Sequence, residues 1–273
     1  MSKVTVLICA HKAVSLPQHA YFLPVQGGAA LHGHIPGFQP DDEGDNISAK
    51  NGHFCELTCH YWAWKNLKDA DIVGLNHYRR YFDFRRGWPS ADKHFVDVND
   101  FLSRPYEFPD VEGLLRQYDI VLPVLRHWRT SNTRQYAGYH IGADWETLRQ
   151  IVRELSPAYY AAFESAMDRS NKAAGYNMFI TRRELFDAYS EWLFNILFEV
   201  ERRVPPAADP VQGRIYGYMS ERLINVFCAH HKLRVRHVPL VMPIDDYREG
   251  LNIGGLHALW RQTVNDVVYS LRR

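Results

Sequence analysis

Apolar runs of strand length alternate along the chain with segments in which apolar residues recur every three or four positions. The runs predict strands over residues 4–10, 71–76, 118–123, 176–180 and 233–240. The recurring positions predict helices over residues 53–67, 110–117, 144–155, 157–168, 183–202, 219–231 and 256–271. Strands that alternate with helices favour an α/β sheet flanked by helices. The segments 13–52, 124–142 and 206–218 are predicted to be long loops that build a binding site.

The richest chemistry stands where the predicted strand 71–76 ends. The apolar run Ile72-Val73-Gly74-Leu75 leads directly into Asn76-His77-Tyr78-Arg79-Arg80. Open α/β sheets bind ligands at the carboxyl ends of their strands, and Arg suits anions held by two hydrogen bonds, phosphate above all. The segment therefore predicts a site for a phosphorylated ligand. If strand geometry continues, His77 and Arg79 share one face and Arg80 lies on the other.

Composition narrows the function classes. The chain has 273 residues and a net charge of +1 from 32 basic and 31 acidic side chains, which argues against a general nucleic-acid binder. Aromatic residues make up 14%, a level typical of sugar-handling proteins and equally of aromatic-rich cores. The pair Cys55 and Cys59 has no matching second pair, so core thiols are favoured over a zinc site.

Targeting signals are absent from the pattern. Met1-Ser2-Lys3 leads straight into a strand-like run of only five residues, 4–8, and no apolar stretch approaches the roughly 20 residues of a membrane span. We expect a cytoplasmic protein with one domain over residues 1–250 and an amphipathic helical tail over 251–273. The apolar face of the tail is expected to pack on the domain or on another subunit. Alternatively, Trp260, Arg261, Arg272 and Arg273 touch a membrane surface.

Several ordered motifs resemble one family. They are Asp45-Asn46-Ile47-Ser48 with Lys50-Asn51, Phe54-Cys55-Glu56-Leu57-Thr58 with Tyr61-Trp62-Ala63-Trp64-Lys65-Asn66, Gly74 to Phe82, Tyr176-Asn177-Met178-Phe179, and Gly217-Tyr218-Met219-Ser220-Glu221-Arg222-Leu223. The set resembles the bacterial capsule and O-antigen biosynthesis family long catalogued only as a domain of unknown function. Some members are implicated as galactofuranosyltransferases. The resemblance covers roughly residues 3–243.

The resemblance implies a glycosyltransferase of GT-A type, with a Rossmann-like mixed sheet that binds a UDP-sugar beside a glycan acceptor. The acceptor could be lipid-linked, and the protein could act at the inner face of the membrane or as a homo-oligomer. Such folds place a metal-binding Asp-x-Asp after the strand, whereas this chain reads Asn76 to Arg80. A divalent metal is therefore possible but not expected. Asp41, Asp42 and Asp45 are the alternative cation ligands, unless they form a solvated turn.

Several residues are candidates for binding the UDP-sugar donor. Fixed cations can stabilise a diphosphate leaving group in place of a metal, or the two arginines can serve as ion-paired scaffold. The first strand ends where a base or ribose usually lies. The donor site is predicted to comprise Ala10, His11, Lys12, Asp45, Asn46, Ser48, Lys50, Asn76, His77, Arg79 and Arg80.

Glu221 is the candidate general base. An inverting transferase needs one carboxylate to take the proton from the acceptor hydroxyl. Glu221 is predicted in the first turn of the helix 219–231, where the helix N-terminus would favour its ionised form, although Glu is also ordinary there. Acceptor or sugar contacts are assigned to Asn177, Arg214, Tyr216 and Arg222. The alternative function is a non-catalytic nucleotide- or glycan-binding module of an assembly complex.

Overall fold

A computed structural model describes residues 2–87, 89–248 and 250–272. The strands of these residues are β1 (Val4–Ala10), β2 (Phe22–Gln26), β3 (Gln39–Pro40), β4 (Ile72–His77), β5 (Tyr81–Phe82), β6 (Lys93–Asp97), β7 (Ile120–Pro123), β8 (Arg126–His127), β9 (Lys172–Ala173), β10 (Phe179–Arg182), β11 (Val235–Val238) and β12 (Leu240–Ile244). The α-helices are α1 (Ala29–His32), α2 (Asn51–Phe54), α3 (Leu57–Asn66), α4 (Val98–Leu102), α5 (Val111–Gln117), α6 (Asn132–Ala137), α7 (Gly142–Leu155), α8 (Tyr160–Phe163), α9 (Arg183–Arg203), α10 (Ile215–His231) and α11 (Gly255–Leu271).

A seven-stranded mixed sheet in the order β11-β7-β10-β4-β1-β2-β3 organises the chain. Strand β1 lies parallel to both β2 and β4, and its register sets Cys9 opposite His77. Strand β10 runs antiparallel to β4 and β7. The predicted α/β class with a mixed sheet and flanking helices is confirmed. Because β1 and β4 are adjacent and parallel, their carboxyl ends open at one edge.

Apolar side chains fill both faces of this sheet. On one face, Leu7 and Leu75 join a core with α3, α7, α9 and α10 that includes the fully buried Trp145. On the other, Val6 and Ile180 pack against α5 and the small sheet β5-β12-β6. The periodicity of α9 is confirmed by its buried residues, which are Phe186, Tyr189, Ser190, Trp192, Leu193, Phe194, Ile196, Leu197 and Val200.

Four of the sequence predictions for single elements are wrong in informative ways. The predicted loop 13–52 contains β2, and the predicted loop 124–142 contains β8 and α6. The predicted helix 53–67 is two helices, α2 and α3, separated at Cys55. The predicted strand 233–240 is divided at Pro239 into β11 and β12, which belong to different sheets.

The remaining differences alter the setting of candidate residues. The predicted strand 176–180 begins only at Phe179, so Asn177 lies in the turn before β10. The predicted helix 219–231 begins at Ile215, which places Tyr216 and Gly217 inside α10. Helix α11 forms as predicted, and its apolar face packs on the rest of the chain only in part, since Leu259, Val264 and Val268 are partly buried. The exposed apolar residues are Leu256, Trp260, Val267 and Leu271, and packing on another subunit stays a prediction. Among the described residues no helix is both long and apolar enough to cross a membrane.

Candidate functional site

A cleft of about 560 Å³ opens beyond the carboxyl ends of β1 and β4. Its size suits a nucleotide-sized ligand, since small-molecule sites occupy roughly 300–1,000 Å³. The lining residues are Cys9, Ala10, His11, Gly27, Asn51, Gly52, Cys55, Glu56, Cys59, His77, Tyr78, Arg79, Arg80 and Arg214. The predicted strand-end position of the site is therefore the position of this cleft.

Three arginines line the cleft together. Strand β4 ends at His77, and a tight turn then pairs His77 with Arg80 in an isolated bridge. Because the strand does not continue, Arg79 and Arg80 both reach the cleft, and the predicted separation of the two side chains onto opposite faces is wrong. Arg214 joins them from the start of α10, and Lys12 lies in the adjoining groove beside Tyr78 and Arg79.

The electrostatics of the cleft are cationic at this end. The pKa of His11 lies below its ordinary value, chiefly because burial penalises the imidazolium, and also because Lys12, Arg79 and Arg214 are near. Burial and the Arg80 guanidinium likewise lower the pKa of His77. The Nε2 atom of His77 lies 2.5 Å from the backbone carbonyl oxygen of Tyr176. An anion that binds at this end of the cleft would therefore reduce the repulsion between these cationic groups.

A break between α2 and α3 brings Glu56 to the cleft. Cys55 adopts φ 53° and ψ −132°, a conformation that L residues rarely occupy. Its Sγ accepts a hydrogen bond from Arg214 Nε at 3.1 Å, and burial raises the pKa of the thiol to about 11. Helix α10 passes so close that a Cβ on Gly217 would lie 3.4 Å from Cys55 Sγ. The break therefore positions both Glu56 and Arg214.

A second strained turn faces this break. Tyr176 and Asn177 both have positive φ, 71° and 51°. The Asn177 amide donates to Glu56 Oε1 at 2.6 Å and to the carbonyl of Gly217 at 3.1 Å. Its Oδ1 is buried and has no hydrogen-bond partner among the described residues, and Asn177 itself is not one of the residues that line the cleft. The structure thus brings Asn177 to the cleft region through a turn rather than through the predicted strand.

Glu221 lies behind this turn, in the second turn of α10. It is the seventh residue of the helix, so the prediction that a helix N-terminus favours its ionised form is wrong. Burial and the neighbouring Glu56 instead raise the pKa of Glu221, against the opposing effect of Arg222, Arg80 and Arg126. Arg222 Nη1 lies 3.2 Å from Glu221 Oε2, and a Cβ on Gly175 would lie 3.5 Å from the same oxygen.

Other predicted donor residues have partners away from the cleft. Asp45 accepts from the Tyr61 hydroxyl at 3.1 Å, and Asn46 accepts from the backbone N–H of Ser48 at 3.1 Å. Ser48 is buried against Asp41, and Lys50 pairs with Glu201 at 2.6 Å. None of these predicted side chains lines the cleft. They hold the segment before α2 in place.

Three further predicted residues also point elsewhere. Asn76 is fully buried and alternates with the cleft-lining His77 along β4, and its side-chain atoms have no hydrogen-bond partner within the described part of the chain. Tyr216 is buried in the core, where its hydroxyl donates to the carbonyl of Val204 at 3.0 Å. Arg222 donates to Gln135 Oε1 at 2.9 Å as well as contacting Glu221.

The donor set of the cleft does not fit a divalent cation. Glu56 is the single carboxylate among its lining residues, whereas Mg²⁺ and Ca²⁺ prefer several oxygen ligands. Asp41 is fully buried and accepts from the backbone N–H groups of Gly28 and Ala29, both at 3.0 Å. Across the described ranges, no group of three His, Cys, Asp or Glu side chains is arranged to hold a metal.

Sequence reasoning missed four contributors to the site, which are Cys55, Glu56, Tyr176 and Arg126. Cys55 and Glu56 lie within the motif Phe54 to Thr58. The hydrophobic pattern predicts one continuous helix there and does not indicate the break between α2 and α3. Tyr176 stacks against both Arg80 and Arg126, with guanidinium-to-ring distances of 5.0 and 5.7 Å. A Gly, Tyr and Asn in succession, 175–177, is the one local signal for a turn that could have identified this segment.

A known protein family and a solved structure are similar to this chain. The family described as Domain of unknown function (DUF4422) matches residues 5–232. A solved structure described as the apo form of the WbbM bifunctional glycosyltransferase is similar, with a TM-score of 0.77 and 28% sequence identity. The similarity covers 88% of this chain and 45% of that chain, so this chain corresponds to less than half of the larger protein. A comparison with curated proteins finds no match.

Proposed function

The chain belongs to the DUF4422 family, and we propose that it is a glycosyltransferase that uses a UDP-sugar to extend a bacterial surface polysaccharide. One observation carries the proposal: three arginines converge in a nucleotide-sized cleft at the carboxyl ends of adjacent parallel strands. The similarity to a bifunctional glycosyltransferase supports the reaction class.

The arginines would stabilise the leaving group. When the bond between the anomeric carbon and the diphosphate oxygen breaks, negative charge grows on the departing UDP. Guanidinium groups fixed beforehand at that position stabilise this charge in the transition state. Arg79 and Arg80 follow the strand end directly, and the Cys55 sulfur orients Arg214.

Glu221 is proposed as the general base. The acceptor hydroxyl oxygen attacks the anomeric carbon, its proton passes to the Glu221 carboxylate, and UDP leaves from the opposite face with inversion. A carboxylate whose pKa is raised towards the working pH accepts a proton more readily than an unperturbed one, and burial raises the pKa of Glu221. Glu56 is the competing candidate because it lines the cleft, whereas Glu221 is not among the lining residues. Each carboxylate already has a donor, which is the Asn177 amide at 2.6 Å for Glu56 and Arg222 at 3.2 Å for Glu221.

A donor sugar, an acceptor and a cellular location are also proposed. The family resemblance favours galactofuranose as the donor sugar and a lipid-linked glycan as the acceptor, and we place the reaction in the cytoplasm. Asn177, whose amide donates to the cleft-lining Glu56 at 2.6 Å, is proposed to contact a sugar hydroxyl.

Transfer and UDP affinity test the assignment separately. UDP-galactofuranose and UDP-galactopyranose would be screened by mass spectrometry with lipid-linked and synthetic acceptors, with and without EDTA, while calorimetry reports UDP affinity. Arg79→Ala and Arg80→Ala should each weaken UDP binding about 10- to 100-fold, the value of a charged hydrogen bond. Arg202→Ala, an exposed arginine on α9, is the control.

Glutamine variants of Glu221 and Glu56 distinguish a general base from a residue that only supports the structure of the site. Glu221→Gln should abolish transfer and retain UDP affinity, whereas Glu191→Gln, at an exposed position of α9, should change neither. If Glu56→Gln alone abolishes transfer, the base is Glu56. Full UDP affinity in both arginine variants would refute the leaving-group site, and UDP binding without transfer to any acceptor would favour a non-catalytic module.

A further inference from the structure

A second, smaller space of about 150 Å³ lies on the inner side of helix α11. Residues of α11 at three- and four-residue spacing, which share one side of the helix, supply part of its lining. The segments before β6 and around β8 supply the rest. We call this space the α11 groove, and the lining residues that matter here are Asp92, Arg126, Trp128, Arg261, Gln262 and Asn265.

Polar contacts fix the wall that α11 contributes to the groove. Asn265 donates to the carbonyl of His127 at 2.7 Å and accepts from Arg129 Nε at 3.2 Å. The next residue, Asp266, lies 3.0 Å from the His127 ring and 3.0 Å from the Lys172 ammonium. The helix is therefore held against β8 and β9 in a defined position, as a binding site requires.

A series of alternating aromatic rings and guanidinium groups connects the α11 groove with the cleft. The Arg126 guanidinium lies 4.4 Å from the centre of the Trp128 ring and 5.7 Å from that of the Tyr176 ring. The guanidinium of Arg80, which lines the cleft, lies 5.0 Å from the centre of the same Tyr176 ring. The groove and the cleft therefore border one tyrosine.

The α11 groove adjoins the end of the cleft where the acceptor is proposed to react. Tyr176 directly precedes Asn177, whose amide donates to Glu56 at 2.6 Å. Lys93, a further residue of the groove, places its Nζ 3.5 Å from the Tyr176 hydroxyl. Arg126 also acts on Glu221, because its positive charge opposes the rise of the Glu221 pKa. Both candidate bases are thus close to the residues that separate groove and cleft.

The chemistry of the α11 groove suits one sugar unit. Its volume is roughly half that of the smallest drug-sized sites, which is too small for a nucleotide. The partly buried Trp128 ring offers an apolar surface to the C–H face of a sugar. The amide of Gln262 and the pair formed by Arg126 and Asp92, 3.8 Å apart, supply donors and acceptors for its hydroxyl groups.

We propose that the α11 groove binds a sugar unit of the acceptor glycan away from the hydroxyl that reacts, with Trp128 against the sugar ring and Arg126 and Gln262 at its hydroxyls. The proposal rests on the proposed function, which places the acceptor beside Tyr176. A monosaccharide that occupies the cleft does not reach the groove, whereas a longer glycan passes Tyr176 and fills both. The protein should therefore prefer oligosaccharide acceptors.

The length of the acceptor tests the proposal. Transfer by the full chain from UDP-galactofuranose is measured with methyl galactofuranoside and with the corresponding linear trisaccharide. We expect a lower KM for the trisaccharide. Trp128→Ala should raise the trisaccharide KM roughly tenfold relative to the monosaccharide KM, the effect of truncating an aromatic anchor. Gln262→Ala should raise the same ratio about threefold to tenfold, through the loss of a hydrogen bond.

Matched controls separate the groove from the fold and from the transferase reaction. Trp260→Ala removes a Trp that is 62% exposed on α11 and does not line the groove, so it should keep the wild-type KM ratio. Circular dichroism verifies folding, and Gln262→Ala tests the groove if Trp128→Ala does not fold. Calorimetry without donor measures trisaccharide binding to the wild type and to the variants.

The outcomes for the two proposals are distinct. Trisaccharide binding that depends on Trp128 or Gln262, without transfer to any acceptor, would support the groove and refute the transferase. A wild-type chain that neither binds the trisaccharide nor uses it better than the monosaccharide would overturn the groove proposal. So would folded groove variants that keep the wild-type KM ratio and trisaccharide affinity.

Discussion

The contact between Asn177 and Glu56 gives the sharpest test of the site geometry. The isosteric change Asn177→Asp replaces the amide that donates to Glu56 Oε1 at 2.6 Å with a carboxylate oxygen. The same group also faces the carbonyl of Gly217 at 3.1 Å, a second acceptor. One substitution without change of size thus converts two hydrogen bonds into two repulsive contacts.

The magnitude follows from Coulomb's law. Two unit charges 2.6 Å apart repel by about 6 kcal/mol at an effective dielectric constant of about 20. Protonation limits this cost, because the introduced carboxyl takes up a proton when its folded-state pKa is raised far enough. A rise of about 3 pKa units above the unfolded value near 4 corresponds to about 4 kcal/mol. We therefore expect Asn177→Asp to lose about 4 kcal/mol of unfolding free energy at neutral pH.

The pH dependence has a definite sign. The introduced carboxyl has a raised pKa in the folded state, so below its unfolded pKa it is protonated in both states and adds no charge repulsion. The loss therefore grows as pH rises from about 4 towards the folded pKa and is constant above it. Urea denaturation at a series of pH values measures this.

Two matched variants isolate the charge effect. Asn177→Ala removes the same hydrogen bonds without adding a charge, so it should lose about 1–2 kcal/mol at every pH. Asn195→Asp makes the same chemical change at an exposed position on α9 and should lose little. If Asn177→Asp matches Asn195→Asp across the pH range, the Glu56–Asn177 contact does not exist in solution.

Two further predictions concern the cations and the sheet. Saturation with UDP should raise the pKa of His11 by about one unit or more, since an anion offsets the cations that lower it; an unchanged NMR titration of the His11 ring would exclude anion binding at this end. Gly74→Ala should lower the free energy of unfolding by about 1–3 kcal/mol, because the added Cβ would lie 2.9 Å from Ile180 Cγ1. The control Gly52→Ala, whose Cβ would have no atom of the described residues within 4 Å, should not destabilise the protein. Equal denaturation midpoints for the two variants would contradict this packing.

Elements with strong local patterns were predictable from the sequence. Strands β1 and β4 are continuous apolar runs because both faces of the central sheet are covered, and α9 has a broad apolar face because it packs on that sheet. The cleft beyond the ends of β1 and β4 lies where the residues that follow these strands predict a binding site. These features depend on residues that are close in sequence.

Elements determined by distant contacts were not predictable. Strand β2 contains Pro24, which argues against a strand, yet it pairs with β1 on one side while β3 reaches only Val25 and Gln26 on the other. The start of α10 was obscured because Gly217 favours a loop, whereas in the structure it lies inside the helix, where a Cβ would be in van der Waals contact with Cys55 Sγ at 3.4 Å. Both outcomes depend on neighbours far along the chain.

Backbone strain locates the same site without reference to any related protein. Four non-glycine residues of the described chain have positive φ, and Cys55, Tyr176 and Asn177 are three of them. Each such conformation costs on the order of 1 kcal/mol or more and persists only where surrounding contacts fix it. Here those contacts are the ones that place Arg214, Glu56 and His77 around the cleft. The energy stored in the two turns is therefore the cost of holding cations and carboxylates in fixed positions before a ligand arrives, which is what charge stabilisation in a transition state requires.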